Sequence, residues 1–288
     1  MATKTLTPQI VKKFLTPRKS SSRKGDNGKV LVVGGSYMYH GAPALSSIAA
    51  LRSGSDLVYT CVPKINAFAT RSLSPDLIVI PMADSKLTRG TVNKLLGQVP
   101  VDIDSATIGM GLAIQDVEAL RLLVKSLLSR NVRISLDASS LMREIIPLVE
   151  GQNVVVTPHE GEFKRLFGDS PGNKKTDRIR SCEKFAKKHS ITILLKGQDD
   201  IITNGKTSFV NSTSTSCMTV GGTGDVLSGL TAGFLSRNKN TLESASAATF
   251  VNGIAGKLLQ KEFGNHILAS DILYVLPKVL KPFDKIKK

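Results

Sequence analysis

The chain of 288 residues contains no tryptophan, and aromatic residues make up only 5% of it. Stacking platforms for single-stranded nucleic acid are therefore poorly supplied. Cysteine occurs three times, at Cys61, Cys182 and Cys217. The number is odd, the spacings are wide and no C-x-x-C pair exists, which argues against a disulfide framework and against a zinc site. A reducing, cytoplasmic compartment fits that usage. No run of about 18 apolar residues is present for a membrane span. The basic N-terminus is followed by no apolar signal-peptide core. Acidic residues are also few: 23 Asp and Glu face 39 Lys and Arg, for a net charge of +16.

The positive excess is partly local. The first 29 residues hold eight Lys or Arg against Asp26 alone, a second group spans residues 174–188, and Lys285, Lys287 and Lys288 close the chain. Solvated helix faces and a basic tail account for such runs in the ordinary way. The functional reading is a general attraction for nucleotide polyanions. A non-catalytic nucleic-acid-binding protein would show tight, salt-sensitive binding, but no recognised nucleic-acid motif accompanies the charge. Neither nucleic acid nor membrane is expected as a partner.

What the sequence does supply is alternation. Residues 1–28 are basic and polar, with one short apolar group at Ile10, Val11 and Phe14, and read as a brief helix followed by a flexible or ligand-ordered loop. From Lys29 onward, Val30-Leu31-Val32-Val33 forms a strand that stops at Gly34-Gly35. Leu45, Ile48, Ala49 and Arg52 follow at helical spacing, Gly54 supplies a stop, and residues 57–62 read as the next strand. This is a βαβ unit, which implies parallel strands. Further strands are expected at 77–80, 106–108, 132–136, 154–157 and 191–195, with helices at 117–128 and 178–188 between them. Apolar runs that are continuous rather than alternating point to strands covered on both faces. Asn204-Gly205 between 201–203 and 207–210 predicts a hairpin. The last third reads as helices at 225–236, 242–260 and 270–280. These signs define an α/β protein with a basic segment at 1–28 and a single domain at 29–288.

The segment Gly221-Gly222-Thr223-Gly224-Asp225 precedes an apolar helical pattern. Glycines leave backbone N–H groups unobstructed, and the first turn of a helix has unpaired donors and a positive dipole end. Together they offer a pocket for a phosphate or for developing negative charge. Asp225 at that point is a candidate general base; its ordinary structural role would be a helix cap. No Gly-Lys-Ser/Thr follows, so the segment is not a P-loop. Thr157-Pro158-His159-Glu160-Gly161-Glu162, Leu195-Lys196-Gly197, Ile108-Gly109-Met110-Gly111 and Gly34-Gly35-Ser36 each end a strand. In an open parallel sheet, ligands bind beyond the carboxyl ends of strands. Taken singly, His159 reads as a structural residue and Lys196 as a solvated one; their joint placement favours a site.

These residues carry a family likeness. Lys24-Gly25, Gly28-Lys29-Val30, Gly34-Gly35-Ser36, Gly41-Ala42-Pro43 and Ala49 to Gly54 resemble the opening of the NAD(P)H-hydrate dehydratase family. Ile108 to Leu112, Thr157-Pro158-His159, Lys196-Gly197 and Gly221 to Leu227 follow in that family's order. The resemblance implies a ribokinase-like three-layer α/β/α sandwich with a mostly parallel central sheet. It implies a substrate that is NADH or NADPH hydrated at C6 of the nicotinamide ring (NADHX or NADPHX, the S epimer). ADP or ATP would be the phosphoryl donor, with Mg2+ accompanying it. Asp225 would take the hydroxyl proton, and the amides of Gly222, Thr223 and Gly224 would stabilise the phosphoryl group in flight. Ala42, Gly111, His159 and Asp225 would meet the substrate. Lys196, Gly197, Gln198, Asp199 and Asp200, with Gly224, would hold the nucleotide. A homo-oligomer, a tetramer among the forms, is also implied. The chain departs from the family at Glu160, Asp200, Ser139 and residues 216–220. A vitamin-precursor kinase of the same superfamily would keep Asp225 and its glycines while releasing a phosphorylated product.

Overall fold

The computed structural model describes residues 3–287. In chain order the strands are β1 (Thr3–Thr5), β2 (Arg18–Lys19), β3 (Lys29–Val33), β4 (Leu57–Pro63), β5 (Ile78–Met82) and β6 (Ser105–Ile108). They continue with β7 (Arg133–Leu136), β8 (Val154–Val156), β9 (Thr192–Leu195), β10 (Asp200–Thr203), β11 (Ser208–Asn211) and β12 (Ile286–Lys287). The helices are α1 (Pro8–Phe14), α2 (Gly41–Arg52), α3 (Lys64–Leu73), α4 (Arg89–Gln98), α5 (Val117–Leu128) and α6 (Ile146–Val149). After them come α7 (Glu160–Phe167), α8 (Lys175–His189), α9 (Thr223–Arg237), α10 (Thr241–Phe263) and α11 (Ala269–Leu280).

Ten strands form one sheet in the order β1-β11-β10-β9-β8-β7-β6-β3-β4-β5. Every pairing in it is parallel except those of β10, which runs antiparallel to β9 and β11. The chain leaves β3 toward β4 and β5, then returns to place β6 on the other side of β3. The switch point therefore lies between β3 and β6, where Gly34-Gly35 and residues 109–111 end the two strands.

Both sheet faces are buried because alternate residues of each strand meet different helical layers. Leu31 and Val33 join a core with Leu120, Leu123, Phe163 and Phe185, from α5, α7 and α8. Val30 and Val32 face the other way, toward Ala50 of α2 and Ala232 of α9. On that second face Val155, Leu194 and Ile202 pack with Val226, Leu230, Val251 and Ile272, from α9, α10 and α11. The strands covered on both faces that the continuous apolar runs predict do form, in the mostly parallel three-layer arrangement that the resemblance implies. Gly229 shows how tightly α9 sits against α2: a Cβ there would lie 1.9 Å from the Ser46 carbonyl oxygen.

Three local features differ from the sequence reading. Residues 3–5, in the segment expected to stand outside the domain, pair in parallel with residues 208–210. Their pattern is polar and exposed, so the backbone ladder, not apolar burial, holds them. The loop after α1 is tied down: β2 pairs with β12, and Asp56 accepts from the Gly25 and Asn27 amides at 2.9 and 3.0 Å. In the hairpin, only Gly205 takes positive φ. The Asn204 side-chain oxygen accepts from the Lys206 and Thr207 amides at 3.0 and 2.9 Å, closing a longer turn by an Asx bond.

Candidate active site

The start of α9 organises the site. Gly222 has φ +100°, and a Cβ there would sit 2.8 Å from both Ala269 Cβ and Leu45 Cδ1, so glycine is required on two counts. The Thr223 hydroxyl donates to the carbonyls of Met218 and Val220 at 2.9 and 3.3 Å and fixes the turn from below. No side chain caps the helix, which leaves first-turn amides available to a ligand. Asp225 lies in that first turn. Burial pushes its carboxyl up to about 7; the Asp137 carboxylate adds to the rise and the Lys196 ammonium opposes it. A carboxyl with that affinity is matched to taking a proton near neutral pH.

Lys196 follows β9 and reaches across the strand ends. Its Nζ donates to Asp137 Oδ1 at 2.9 Å and lies 3.6 Å from Glu162 Oε2. Asp137, just after β7, is buried and also accepts from the Thr157 hydroxyl at 2.7 Å. Burial alone would lower the Lys196 pKa, but Asp137 and Glu162 outweigh it and hold the ammonium above its ordinary value. A Cβ placed on Gly224 would stand 3.8 Å from Lys196 Nζ, so the ammonium reaches the glycine turn.

A cavity of about 720 Å³ opens beside this cluster, with His159, Lys196, Gly197, Gln198, Asp200, Thr223 and Gly224 among its walls. Seven of the residues singled out from the sequence are thus brought to one place. Asp200 is 6% exposed, and burial raises its pKa despite the donors around it. Its carboxylate accepts from Thr249 Oγ1 (2.6 Å), Asn211 Nδ2 (3.1 Å), Ser214 Oγ (3.2 Å) and the Gly197 amide (3.0 Å). It ties the ends of β9 and β11 to α10. Asp199 points elsewhere: it pairs with Lys175 at 2.9 Å, is hydrogen-bonded by Ser212, and borders a neighbouring cavity of about 590 Å³.

His159 has a double position. Its Nδ1 accepts from the Gly161 and Glu162 amides at 3.0 and 3.3 Å, while Glu162 Oε2 accepts from the His159 amide at 2.8 Å. That is a capping box for α7. The same imidazole lines both cavities. Ala42 and Gly111 are not in the cavity wall but meet each other: a Cβ on Gly111 would lie 3.3 Å from Ala42 Cβ and 2.6 Å from Tyr39 Cβ. They sit on the switch-point side of α9, reached from Gly222 through Leu45, one turn beyond Ala42. The start of α9 thus borders the Lys196 cavity through Thr223 and Gly224 and approaches α2, which carries Ala42, through Gly222 and Leu45.

Sequence reasoning did not assign Asp137 or Glu162 as the partners of Lys196, nor Asn211, Ser214 and Thr249 as those of Asp200. For Asp137 and Glu162 a signal existed, since both lie just beyond strand ends, where polar residues converge in a parallel sheet. For the Asp200 partners no local pattern marks the positions.

A family model described as NAD(P)H-hydrate dehydratase matches residues 30–278. A Nitrosopumilus maritimus protein named ADP-dependent (S)-NAD(P)H-hydrate dehydratase is 65% identical over 286 residues, spanning 99% of this chain and 100% of that protein. A Cenarchaeum symbiosum protein of the same name is 57% identical, with 100% of each chain covered. Among solved structures, the ADP/ATP-dependent NAD(P)H-hydrate dehydratase from Bacillus subtilis, co-crystallised with ATP and Mg2+, aligns with a TM-score of 0.84. The alignment has 25% identity and covers 99% of this chain and 100% of that one.

Proposed function

Because the chain belongs to the NAD(P)H-hydrate dehydratase family, we propose that it dehydrates the S epimer of NADHX and NADPHX at the expense of ADP, restoring the reduced cofactor. The observation that carries the mechanism is the buried Asp225 carboxyl, raised to about 7, beside uncapped amides at the start of α9.

In this reading the C6 hydroxyl oxygen attacks the β-phosphorus of ADP, its proton passes to Asp225 and AMP leaves. The Gly222, Thr223 and Gly224 amides, directed at the transferred group, stabilise its oxygens. The C6–O bond then breaks as the ring nitrogen supplies electrons, phosphate departs, and loss of the C5 proton restores the reduced ring. The cavity bordered by Lys196, Gly197, Gln198, Asp200 and Gly224 suits the nucleotide. Ala42 and Gly111, at the switch-point crevice, suit the hydrated cofactor, and His159, which lines the Lys196 side, would meet it across the start of α9. Asp199 belongs to the nucleotide side through the adjoining cavity it borders. ADP is favoured over ATP as donor by the naming of the Nitrosopumilus maritimus and Cenarchaeum symbiosum relatives.

Magnesium belongs to the same proposal as a passenger of the nucleotide. Among the described residues no group of three His, Cys, Asp or Glu side chains is placed to hold a metal. The ion would therefore be carried by polyphosphate oxygens, as its preference for water and phosphate ligands allows, and no protein step is routed through it. Among the described residues no helix is long and apolar enough to cross a membrane. Three buried, unpaired cysteines accord with the cytoplasm as its place of work. Association into a homo-oligomer, a tetramer among the forms, would bury the exposed Tyr37, Met38, Tyr39 and Tyr274; a monomeric mass by equilibrium sedimentation would refute it.

The deciding experiment incubates the protein with hydrated NADH, magnesium and either ADP or ATP, and follows the reduced-nicotinamide absorbance beside Asp225→Asn. Recovery with ADP, lost in the variant, is the expected result. A phosphorylated product without recovery would instead identify a kinase.

A further inference from the structure

Lys196 is held in a way that a nucleotide-binding loop does not by itself require. A lysine that only neutralises a phosphate in solution keeps its side chain mobile. Here Nζ is drawn inward by Asp137 at 2.9 Å and Glu162 at 3.6 Å, and Asp137 is itself fixed by Thr157. The side chain retains 20% exposure, and that exposed portion borders both the large cavity and its smaller neighbour. An ammonium has three donors. Asp137 engages one at good length and Glu162 stands at the limit of another, which leaves donor capacity toward the cavity. The Gly224 turn shares that cavity wall, and a Cβ there would be 3.8 Å from Nζ.

The uncapped glycine turn of α9 and the ammonium that follows β9 thus border one cavity at close range. We infer that Lys196 is a catalytic residue that contacts the phosphoryl group during its transfer, and that Asp137 and Glu162 are positioning residues that hold its Nζ against the first turn of α9. This inference rests on the dehydratase reading given above. As the bond from the β-phosphorus to the bridging oxygen breaks and the bond to the C6 oxygen forms, negative charge gathers on the equatorial and leaving oxygens. A cation already fixed in place meets that charge without reorganising. The hydroxyl proton still goes to Asp225, and Lys196 keeps its own protons throughout.

The inference separates from simple nucleotide binding in a kinetic experiment on the full chain. Lys196→Met is compared with the unsubstituted protein for kcat and KM with ADP and hydrated NADH, and for affinity toward AMP, which has no phosphoryl group to transfer. The expected result is a fall in kcat of about 100-fold or more, with KM for ADP and AMP affinity each within about threefold. Lys196→Cys is then alkylated with 2-bromoethylamine, which rebuilds a lysine-length ammonium. Because Cys61, Cys182 and Cys217 are all buried, the new thiol is the accessible one. Alkylation should return most of the lost kcat, and this pair repeats the comparison should Lys196→Met fail to fold. Unchanged kcat with a raised KM for ADP, weakened AMP binding, or a cysteine variant left inactive after alkylation would overturn the assignment while leaving the dehydratase reading standing. Absence of turnover by the unsubstituted protein would overturn both.

Discussion

Replacing Asp225 by asparagine should abolish turnover and, at the same time, make the ligand-free protein more stable in alkaline solution. The carboxyl sits where burial and the Asp137 charge favour its neutral form, and the Lys196 charge only partly compensates. A rise from 3.8 to about 7 amounts to about 4 kcal/mol of preference for the protonated acid. A carboxyl whose folded pKa lies above its unfolded one contributes fully to stability below the unfolded value. That contribution is lost as pH climbs through the folded value. At pH 8 the native protein therefore carries the whole penalty of an ionised Asp225, about 4 kcal/mol; at pH 5 its carboxyl is protonated and the cost of taking up that proton on folding is about 2 kcal/mol. Asparagine has nearly the same shape and no charge to bury, so it removes the penalty at both. Urea unfolding of the two proteins without ligand, at pH 5 and pH 8, measures the difference. The gain in the variant should roughly double between the two. A variant no more stable than the parent at pH 8, or more stable by the same amount at both pH values, would falsify the argument that Asp225 is held in an unfavourable field. The stabilising effect and the loss of activity would then need separate explanations; if both appear, they have one cause.

The same field sets the pH dependence of the reaction. Since Asp225 must be ionised to accept a proton, kcat/KM should fall about tenfold per pH unit below its pKa of about 7. Asp137→Asn should move that limb to lower pH, because it removes a charge that raises Asp225; a limb that stays put or rises would refute the coupling. Gly222→Ala forces a side chain into φ +100° and against Ala269 and Leu45, so it should cost about 1–3 kcal/mol and lower kcat, with thermal melting and steady-state assays as the check. Asp200→Ala strands donors on Thr249, Asn211, Ser214 and Gly197. It should destabilise the protein by about 2–4 kcal/mol and raise KM for the nucleotide. An unchanged nucleotide KM would remove Asp200 from the cavity's support.

Much of the site was legible because local chemistry fixes it. The strand ending at Gly34-Gly35 and the glycine turn before Asp225 depend on residues within a few positions of one another. The turn at 221–224 forms because Gly222 alone tolerates its backbone angle and its crowding. The capping box at His159 and Glu162 is likewise an i, i+3 relation, visible in the sequence as a histidine and a glutamate though not as a cap. Helices α3 and α4 escaped notice for a related reason: their buried residues include Asn66, Thr70 and Thr91, so no clean apolar stripe marks them.

What the sequence by itself determined was the alternation of strands and helices, the parallel sheet that follows from it, and the chemical types gathered at the strand ends. Those are consequences of short-range backbone preference and of side-chain period, which act along the chain. The tertiary structure alone decided which charges meet. Lys196 and Asp137 are 59 residues apart, and Asp200 and Thr249 are 49 apart. The first contact depends on strand order, which places β7, β8 and β9 side by side, and the second on the packing of α10 against β10. The polar strand β1 is decided the same way, since it gains its place from the open ladder edge of β11. Electrostatic character follows suit. An aspartate has an ordinary pKa in the unfolded chain, and only burial beside Asp137 and Lys196 turns Asp225 into a base poised near neutrality.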